Sequence, residues 1–305
     1  MKVKAIINPE AGRKMAQEDA LLVLDRLAKE GAIKEYTVFY THDRNEAFFE
    51  TSKLKANEYD LILAVGGDGT LNEIVNGIIH SGSNIPLSIL PAGTGNEIAS
   101  MLQYPTDIYE YCQMIKSWQV RSIDVGKAGE RYFINVLIGG LLADIAHRVP
   151  QELKNVFGKI AYYITGFADV PTHLSECFHI AFEANGSTIE EEAILFVVTN
   201  STSAGGFRKI SPLASMDDGL FDVCIIRKVS SIDKLFNMVR LLLLGEHLND
   251  PQIAYFQTSK LKISSSNSKI VLLDMDGEDA GELPISIEVI PRALKILAPW
   301  KEHFK

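Results

Sequence analysis

Three short glycine-bearing turns carry the residues best suited to chemistry. They read NPEAG from Asn8, GGDGT from Gly66 and PAGTGN from Pro91, and each follows an apolar run. Glycines let the backbone approach a ligand closely, and a helix N-terminus adds N–H groups and a positive dipole end, so such turns favour phosphate. Asp68 would repel a phosphate unless a cation lies between them, which fits a nucleotide with Mg²⁺. The alternative is a plain β-turn with Asp68 as a helix N-cap.

Generic motifs do not identify the nucleotide. The chain has neither the Gly-Lys-Ser/Thr of a Walker A loop nor a GxGxxG fingerprint. Its seven histidines show no HExxH or paired spacing, so a zinc hydrolase is not predicted. The three cysteines, Cys112, Cys177 and Cys224, lie far apart without a CxxC pair, which argues against a disulfide framework and against a structural zinc site.

The three turns need a scaffold that brings them together, and the first 90 residues predict one. Strand patterns cover 3–7, 36–40, 60–65 and 86–90, while helical spacing is found at 20–28, at 47–48 and at 71–79. This alternating order predicts a parallel sheet with helices on its faces. Ligands of such sheets bind at the carboxyl ends of the strands, where all three turns stand.

The pattern changes near residue 122. Alternating runs then predict antiparallel strands, with helical stretches near 156–167 and 232–244. We therefore expect an α/β nucleotide-binding domain over 1–122 and a β-rich, sandwich-like substrate and catalytic domain over 123–290. The predicted strands of the second domain are 180–184, 193–198, 220–226, 260–264, 269–273 and 285–290.

The composition excludes several classes of function. A formal net charge of −9 argues against a nucleic-acid partner. The densest apolar run, 239–244, is too short to span a bilayer, and the N-terminus is typical of a strand rather than of a signal peptide. Together with the scattered cysteines, this predicts a cytoplasmic protein whose membrane contact, if any, is local and peripheral.

The segment GGDGTLNEIVNGI, from Gly66, resembles the signature of the diacylglycerol kinase catalytic domain family, which includes soluble bacterial lipid kinases, ceramide kinases and sphingosine kinases. GGDGT alone is shared with the more distant NAD kinases. Glu97 is a departure, because the lipid kinases usually carry aspartate there. Further segments resemble the family in order along the chain: NPEAG, PAGTGNEIA, SIDVG, FINVLIGGLLADI, FGKIAYYITG, AGGFRKISPLASMDDGLFDV and MDGE.

The resemblance implies an active site in the cleft between the two domains and gives individual residues a role. It implies that Glu278 is the general base, that Asp68 is catalytic, and that Asp218 binds Mg²⁺ beside the backbone carbonyls of Ser215 and Leu220. It also implies that segment 291–305 completes the first domain. The residues that it places against ATP are Asn8, Pro9, Glu10, Ala11, Gly12, Thr41, Gly66, Gly67, Asp68, Gly69, Thr70, Leu71, Asn72 and Thr94.

The chemistry of these residue types is compatible with the implied roles but leaves alternatives open. A carboxylate within hydrogen-bond reach of an alcohol can take its proton during phosphoryl transfer, yet Glu278 could equally be a solvated hairpin residue. Asp218 could simply close a β-turn through an Asx hydrogen bond. Asp276, in the matched triplet, is either structural or part of the site. Asp124 could join a proton network or be a polar residue at a strand start.

A lipid substrate would also need an apolar groove. We expect one on the two helical stretches of the second part, with Arg148, Lys154 or Lys159 near a headgroup. An exposed apolar helix face would suit a homodimer as well as a membrane surface, so the oligomeric state stays open. The candidate groove residues are Tyr162, Tyr163, Ile164, Phe167, Val239, Leu241, Leu242, Leu243 and Leu244.

The sequence therefore predicts an ATP- and Mg²⁺-dependent lipid kinase that phosphorylates the hydroxyl of a diacylglycerol-like or sphingoid lipid at a membrane surface. One alternative is a kinase of the same superfamily that acts on NAD or a soluble polyol, although this does not explain the SPLASMDDG and MDGE segments. The other is a non-catalytic nucleotide-binding regulator. The presence of Asp68, Asp218 and Glu278 counts against that regulator.

Overall fold

The chain divides into two compact units. The computed structural model describes residues 1–11, 15–92, 96–140, 177–204, 207, 209–229, 231–267 and 269–299. Contacts between Cα atoms separate residues 1–125 with 291–305 from residues 126–290. The assignment of a nucleotide to the first unit and of the lipid substrate to the second stays a prediction.

The first unit is built on a parallel sheet. In the order of pairing its strands are β4, β3, β1 and β2, and Ile7 at the end of β1 lies beside Tyr40 of β2 and Val65 of β3. The elements are β1 (Lys2–Ile7), α1 (Met15–Lys29), β2 (Glu35–Tyr40), α2 (Glu46–Thr51), β3 (Leu61–Gly66), α3 (Asp68–Ser81), β4 (Leu87–Pro91), α4 (Glu97–Met101) and α5 (Ile108–Ser117).

The apolar runs of this unit explain the layering. Strands β1 and β3 are buried almost throughout, as expected of parallel strands covered on both faces, while the edge strand β2 is only partly buried. Helix α1 packs against α5, and α2 packs against α3. Asp107 is the N-cap of α5, and its side chain accepts a hydrogen bond from the Glu110 N–H. Gly82, whose φ is +64°, is the C-cap of α3.

The second unit is antiparallel. Its described strands pair in the order β14, β13, β7, β9, β8, β12 and β15, while β10 lies between β9 and β11, and β6 pairs with β5. Both β5 and β15 continue into the first unit, where Ile296 lies beside Leu87. The elements are β5 (Val120–Ala128), β6 (Arg131–Phe133), β7 (Val136–Gly140), β8 (Phe178–Ala184), β9 (Ser187–Thr199), β10 (Phe221–Arg227), α6 (Ile232–Leu244), β11 (Ile253–Thr258), β12 (Lys260–Ser265), β13 (Leu272–Met275), β14 (Glu278–Glu282) and β15 (Ile285–Leu297).

Strand β10 divides the core of this unit into two clusters. Because side chains alternate along a strand, Val223 and Ile225 pack on one face with the large aromatic cluster that includes Phe196. Cys224 and Ile226 pack on the other face with residues of α6 such as Met238 and Leu242. A sheet covered on both faces explains why β10 reads FDVCIIR, an almost unbroken apolar run.

The predicted fold class is confirmed: the chain combines an N-terminal parallel sheet with a C-terminal antiparallel β-rich unit. The periodicity places α6 correctly at 232–244. It does not resolve α4, α5, β5, β6, β7, β11 or β14, and the strand predicted at 269–273 lies at Leu272–Met275. The helix predicted near 156–167 lies outside the described residues. Among the helices that the structure describes, none is long and apolar enough to cross a membrane.

Candidate functional site

Backbone hydrogen bonds join neighbouring strand ends at the carboxyl edge of the parallel sheet. The N–H of Asn8, directly after β1, donates to the carbonyl oxygen of Val65 in β3 at 2.8 Å. The N–H of Ala92, directly after β4, donates to the carbonyl oxygen of Gly66 at 3.3 Å. The glycine turns that follow β1, β3 and β4 therefore begin side by side, at the edge where parallel α/β sheets bind their ligands.

Asn8 shapes the NPEAG turn and ties it to the GGDGT turn. Its Oδ1 accepts a hydrogen bond from the Glu10 N–H at 3.0 Å, and its carbonyl oxygen accepts one from the Ala11 N–H at 3.2 Å. Its Nδ2 donates to Oγ1 of Thr70 at 3.0 Å. The side chain thus holds an Asx turn and a cross-link between two loops, which fixes the spacing of both.

The start of α3 needs glycine at Gly66. A Cβ atom at this position would lie 2.6 Å from Cβ of Thr70, closer than real Cβ contacts come. Gly67 is the N-cap of α3, with extended backbone (φ −90°, ψ −174°) and no side-chain cap. The first turn of the helix, which contains Gly69 and Thr70, thus presents backbone N–H groups without a capping side chain in front of them, and such groups suit a phosphate.

Asp68 is the first residue of α3 and not its N-cap, so the plain N-cap interpretation is wrong. Its Oδ1 accepts a hydrogen bond from the backbone N–H of Glu97 at 3.0 Å. Glu97 begins α4, the helix after the PAGTGN segment. Asp68 therefore links the second glycine turn to the third, a role that sequence patterns did not suggest.

The remaining residues predicted to contact a nucleotide lie in or beside these turns. Thr41 directly follows β2, is 5% exposed, and donates its N–H to the carbonyl oxygen of Ile7 at 2.9 Å. Leu71 and Asn72 are 5% and 8% exposed on α3, so their side chains belong mainly to the interior of the unit. Pro9 is half-buried in the first turn. Gly12 and Thr94 lie outside the described residues.

The predicted metal ligands share one turn in the second unit, just before β10. Oδ1 of Asp218 accepts a hydrogen bond from the Leu220 N–H at 3.0 Å, around Gly219 with φ +78°. Oγ of Ser215 donates to Oδ1 of Asp217 at 2.8 Å. The Asx turn expected as the plain alternative is thus present. A carboxylate and two carbonyl oxygens are the hard oxygen donors that Mg²⁺ prefers, so the residues of this turn also fit the ion.

Glu278 begins β14 directly after a two-residue hairpin turn. Met275 pairs with Glu278, and between them Asp276 and Gly277 have φ of +53° and +88°, as a type I′ turn requires. Oδ1 of Asp274 accepts a hydrogen bond from the Gly277 N–H at 2.9 Å. The Glu278 side chain is exposed. A constrained turn therefore presents this carboxylate at the surface of its unit.

Asp276 has a structural role. Its Oδ2 accepts a hydrogen bond from the Ile134 N–H at 2.6 Å, and its Oδ1 accepts from the N–H groups of Asn135 and Val136 at 3.0 and 2.9 Å. One carboxylate thus anchors the hairpin before Glu278 to the segment that leads into β7. The Asp-Gly pair was the signal for this turn in the sequence, since Asp-Gly favours a type I′ turn, in which both residues have positive φ.

Asp222 is a second polar residue whose importance the sequence patterns did not reveal. It is fully buried in β10, where the Tyr255 hydroxyl donates to its Oδ1 and Gln257 Nε2 lies 3.2 and 3.3 Å from its two carboxylate oxygens. Burial raises the pKa of the Asp222 carboxyl, the hydrogen bonds from Tyr255 and Gln257 lower it, and the nearby charge of Asp218 raises it. A cation held by Asp218 would therefore favour the ionised form of Asp222.

Asp124 is buried inside the first unit. It is the fifth residue of β5, so the interpretation as a polar residue at a strand start is wrong. Its Oδ1 accepts a hydrogen bond from the Arg292 N–H at 2.7 Å, which fastens β5 to β15. A role in a proton network stays a prediction.

Part of the predicted lipid groove lies on α6. Leu242 packs into the core at 4% exposure, whereas Leu243 and Leu244 are 48% and 47% exposed at the end of the helix. Two exposed leucines suit an apolar contact, without specifying its occupant. Val239 and Leu241 also belong to α6. The remaining groove and headgroup candidates, Arg148, Lys154, Lys159, Tyr162, Tyr163, Ile164 and Phe167, lie outside the described residues.

Comparison with known proteins places both units in one family. The model of the diacylglycerol kinase catalytic domain matches residues 2–128, and that of the YegS C-terminal NAD kinase beta sandwich-like domain matches residues 136–298. A crystal structure of a diacylglycerol kinase from Bacillus anthracis str. Sterne is similar with a TM-score of 0.80 at 27% identity, over 97% of this chain and 96% of that one.

Curated relatives agree with the structural likeness. The chain is 33% identical over 301 residues to a diacylglycerol kinase from Staphylococcus epidermidis, which covers 98% of this chain and 92% of the relative. It is 33% identical over 298 residues, with the same coverage, to a diacylglycerol kinase from Staphylococcus aureus strain Newman. The chain therefore belongs to the diacylglycerol kinase family, whose members are phosphotransferases with an alcohol group as acceptor.

Proposed function

We propose that this protein is an ATP- and Mg²⁺-dependent lipid kinase that transfers the γ-phosphate to the hydroxyl of a diacylglycerol. The observation that carries the proposal is the pair of cross-links at the sheet edge, from Asn8 to Thr70 and from Asp68 to Glu97, which hold three glycine turns together. They lie in the part of the chain that matches a diacylglycerol kinase catalytic domain. The names of the relatives favour diacylglycerol over a sphingoid acceptor.

The nucleotide phosphates would lie against the first turn of α3. Backbone N–H groups at a helix N-terminus bind phosphate oxygens, and Gly66 and Gly67 leave no side chain in the way. Asp68 has a carboxylate at the same helix end, where it would orient the metal-bound phosphates while its Oδ1 holds Glu97. The carboxylate would repel phosphate without a cation, so binding of ATP to this site should require Mg²⁺.

The turn with Asp218, Ser215 and Leu220 would hold a Mg²⁺ ion through three oxygen atoms. The ion would supply positive charge that offsets the developing negative charge of phosphoryl transfer. The turn itself is held by the Asp218–Leu220 hydrogen bond, so the donor oxygens are arranged by the chain. Asp222 is buried close enough to Asp218 for the charge of Asp218 to raise its pKa, so a cation bound at this turn would stabilise the ionised form of Asp222.

Glu278 would act as the general base. Its carboxylate would accept the proton of the lipid hydroxyl as that oxygen forms its bond to phosphorus, and the bond from phosphorus to the bridging oxygen of ADP would break. The type I′ turn and the Asp276 anchor fix the backbone from which this side chain extends. The Glu278 side chain is exposed, which leaves its carboxylate accessible to an alcohol.

Transfer of the labelled terminal phosphate of ATP into dioleoylglycerol in detergent micelles tests the proposal. We expect Mg²⁺-dependent labelling, and we expect Glu278→Gln to lower kcat by about 10²-fold or more, the usual contribution of a general base. Glu282→Gln is the matched control, since Glu282 is an exposed carboxylate on the same strand. Its kcat should stay within about twofold of wild type.

Other outcomes would revise the proposal in defined ways. Equal activity of Glu278→Gln and wild type would remove Glu278 as the base while leaving the kinase activity in place. Labelling of sphingosine in preference to dioleoylglycerol would change the acceptor class. Labelling of NAD or glycerol without detergent, and of no lipid, would contradict the lipid kinase. ATP binding without any transfer would point to a regulator.

A further inference from the structure

Strand pairing brings together three metal-ligating side chains on the second unit, on strands that carry none of the proposed catalytic residues. His179 of β8 lies directly opposite Glu192 of β9, one residue from the pair of Phe178 with Ala193. Cys177 precedes β8 and is two residues from His179. Because side chains alternate along an extended chain, Cys177 and His179 point to the same face, and Glu192 lies beside both.

The ligand atoms are close to the spacing that a tetrahedral metal requires. His179 Nε2 lies 3.8 Å from Oε1 of Glu192, and the Cys177 thiol donates to Oε2 of Glu192 at 3.9 Å. With one ligand atom taken from each residue, the three atoms lie within 4.8 Å of one another. Bonds of about 2.0–2.3 Å at tetrahedral angles put ligand atoms about 3.4–3.7 Å apart. Closing the site would shorten these separations by up to about 1.4 Å, a change that rotation of the exposed His179 and Glu192 side chains can supply.

The three side chains differ in their exposure to solvent. Cys177 is buried, at 8% exposure, which limits the movement of its side chain. The side chains of His179 and Glu192 are 49% and 55% exposed, so they can rotate towards an ion that arrives from solvent. Three protein ligands leave one tetrahedral position for water or an external ligand.

The donor set selects the kind of metal. A thiolate, an imidazole and a carboxylate are ligands of Zn²⁺, whereas Mg²⁺ and Ca²⁺ prefer sites made only of oxygen. We propose that Cys177, His179 and Glu192 form a Zn²⁺ site on the β8–β9 hairpin, separate from the Mg²⁺ turn at Asp218. The absence of CxxC and HExxH motifs argued against a structural zinc site and against a zinc hydrolase. Those motifs are typical of loops and helices, whereas C-x-H is the spacing at which two ligands share one face of a strand.

Cobalt binding to the full-length protein tests this proposal, because Co²⁺ takes the place of Zn²⁺ and shows a thiolate-to-metal absorption band only when sulfur is a ligand. After chelator treatment, we expect this band to grow to one Co²⁺ per chain. Zn²⁺ should abolish the band, and excess Mg²⁺ should leave it unchanged. Cys177→Ser should remove it, while His179→Gln and Glu192→Gln should each weaken Co²⁺ binding by about tenfold or more.

Two variants serve as controls. Cys224→Ser removes a thiol that is buried elsewhere, and Glu183→Gln removes an exposed carboxylate of β8 that pairs with Lys262, so both should keep the wild-type band. The two exposed ligands can be replaced without disturbing the core, so His179→Gln and Glu192→Gln decide the matter even if Cys177→Ser folds poorly. No band in the wild type, a band that survives Cys177→Ser, or unchanged affinity in both other variants would overturn the proposal.

Discussion

Replacing Asp276 should destabilise the second unit more than replacing any exposed carboxylate nearby. Its carboxylate accepts three backbone hydrogen bonds, from Ile134, Asn135 and Val136, at 2.6, 3.0 and 2.9 Å. Asp276→Ala leaves these three N–H groups without their acceptor. It also places alanine, whose side chain cannot form a hydrogen bond, at a left-handed position with φ +53°. The hairpin that presents Glu278 would lose its attachment to β7.

The size of the effect follows from these contacts. A hydrogen bond to a charged group contributes about 1.5–3 kcal/mol, so three bonds set an upper limit of about 5–9 kcal/mol. Asp276 is only partly buried, and water will replace part of this loss. The left-handed backbone adds about 1 kcal/mol for alanine. We expect Asp276→Ala to lower the free energy of unfolding by about 3–5 kcal/mol, and Asp276→Asn by about 1–3 kcal/mol because an amide oxygen remains.

Urea unfolding, followed by circular dichroism, measures the loss of unfolding free energy for the transition that includes the second unit. Faster hydrogen exchange of the backbone amides at 134–136 would show that the loss is local to this contact. Asp279→Ala is the matched control: Asp279 is exposed in the same hairpin, and its carboxylate accepts one bond, from the Gly281 N–H at 2.7 Å. Its cost should be about 1 kcal/mol or less. A loss for Asp276→Ala no larger than that of the control would refute the anchoring role.

Two further variants test the GGDGT turn and a buried histidine. Gly66→Ala should weaken ATP binding about tenfold or more by calorimetry, because its Cβ would lie 2.6 Å from Thr70, whereas Gly31→Ala, with nothing within 4 Å, should leave the affinity for ATP unchanged. Burial lowers the pKa of His247, whose Nε2 lies 2.9 Å from the Ile210 carbonyl oxygen. As the pH falls below about 6.5, the unfolded chain binds a proton that the folded chain resists, so stability should fall, and His247→Gln should make that fall shallower in urea titrations at several pH values.

The sequence was most informative about elements whose apolar period decides their burial. The parallel strands were predicted to within one or two residues, because β1, β3 and β4 must be covered on both faces and are therefore nearly continuous apolar runs. Helix α6 was predicted with its observed bounds, since its apolar residues recur at helical spacing before Gly245 ends it. Short or polar elements such as β14, which reads EDAGE, carry no such period.

The contacts of the site could not be read in the same way, since they join residues far apart in the chain. Asp68 accepts from Glu97, 29 positions away, and Asp276 accepts from Asn135, 141 positions away. A motif shows that a carboxylate is present, but only the fold shows which backbone groups surround it. For Cys177 and Glu192 even a motif is lacking, and only the register of β8 with β9 shows that they lie close together.

These contacts separate two kinds of carboxylate inside one motif, and the separation can be measured. In MDGE, Asp276 is committed to three backbone N–H groups, whereas Glu278 is exposed and makes no such bond among the described residues. If Asp276 holds the turn and Glu278 carries out the chemistry, Asp276→Asn should lower the free energy of unfolding. It should reduce kcat only to the extent that it lowers the fraction of molecules in which the turn is correctly formed. Glu278→Gln should reduce kcat by about 10²-fold while leaving the free energy of unfolding within about 0.5 kcal/mol of wild type. A large loss of stability in Glu278→Gln would mean that this carboxylate also holds the fold, and the division of roles would fail.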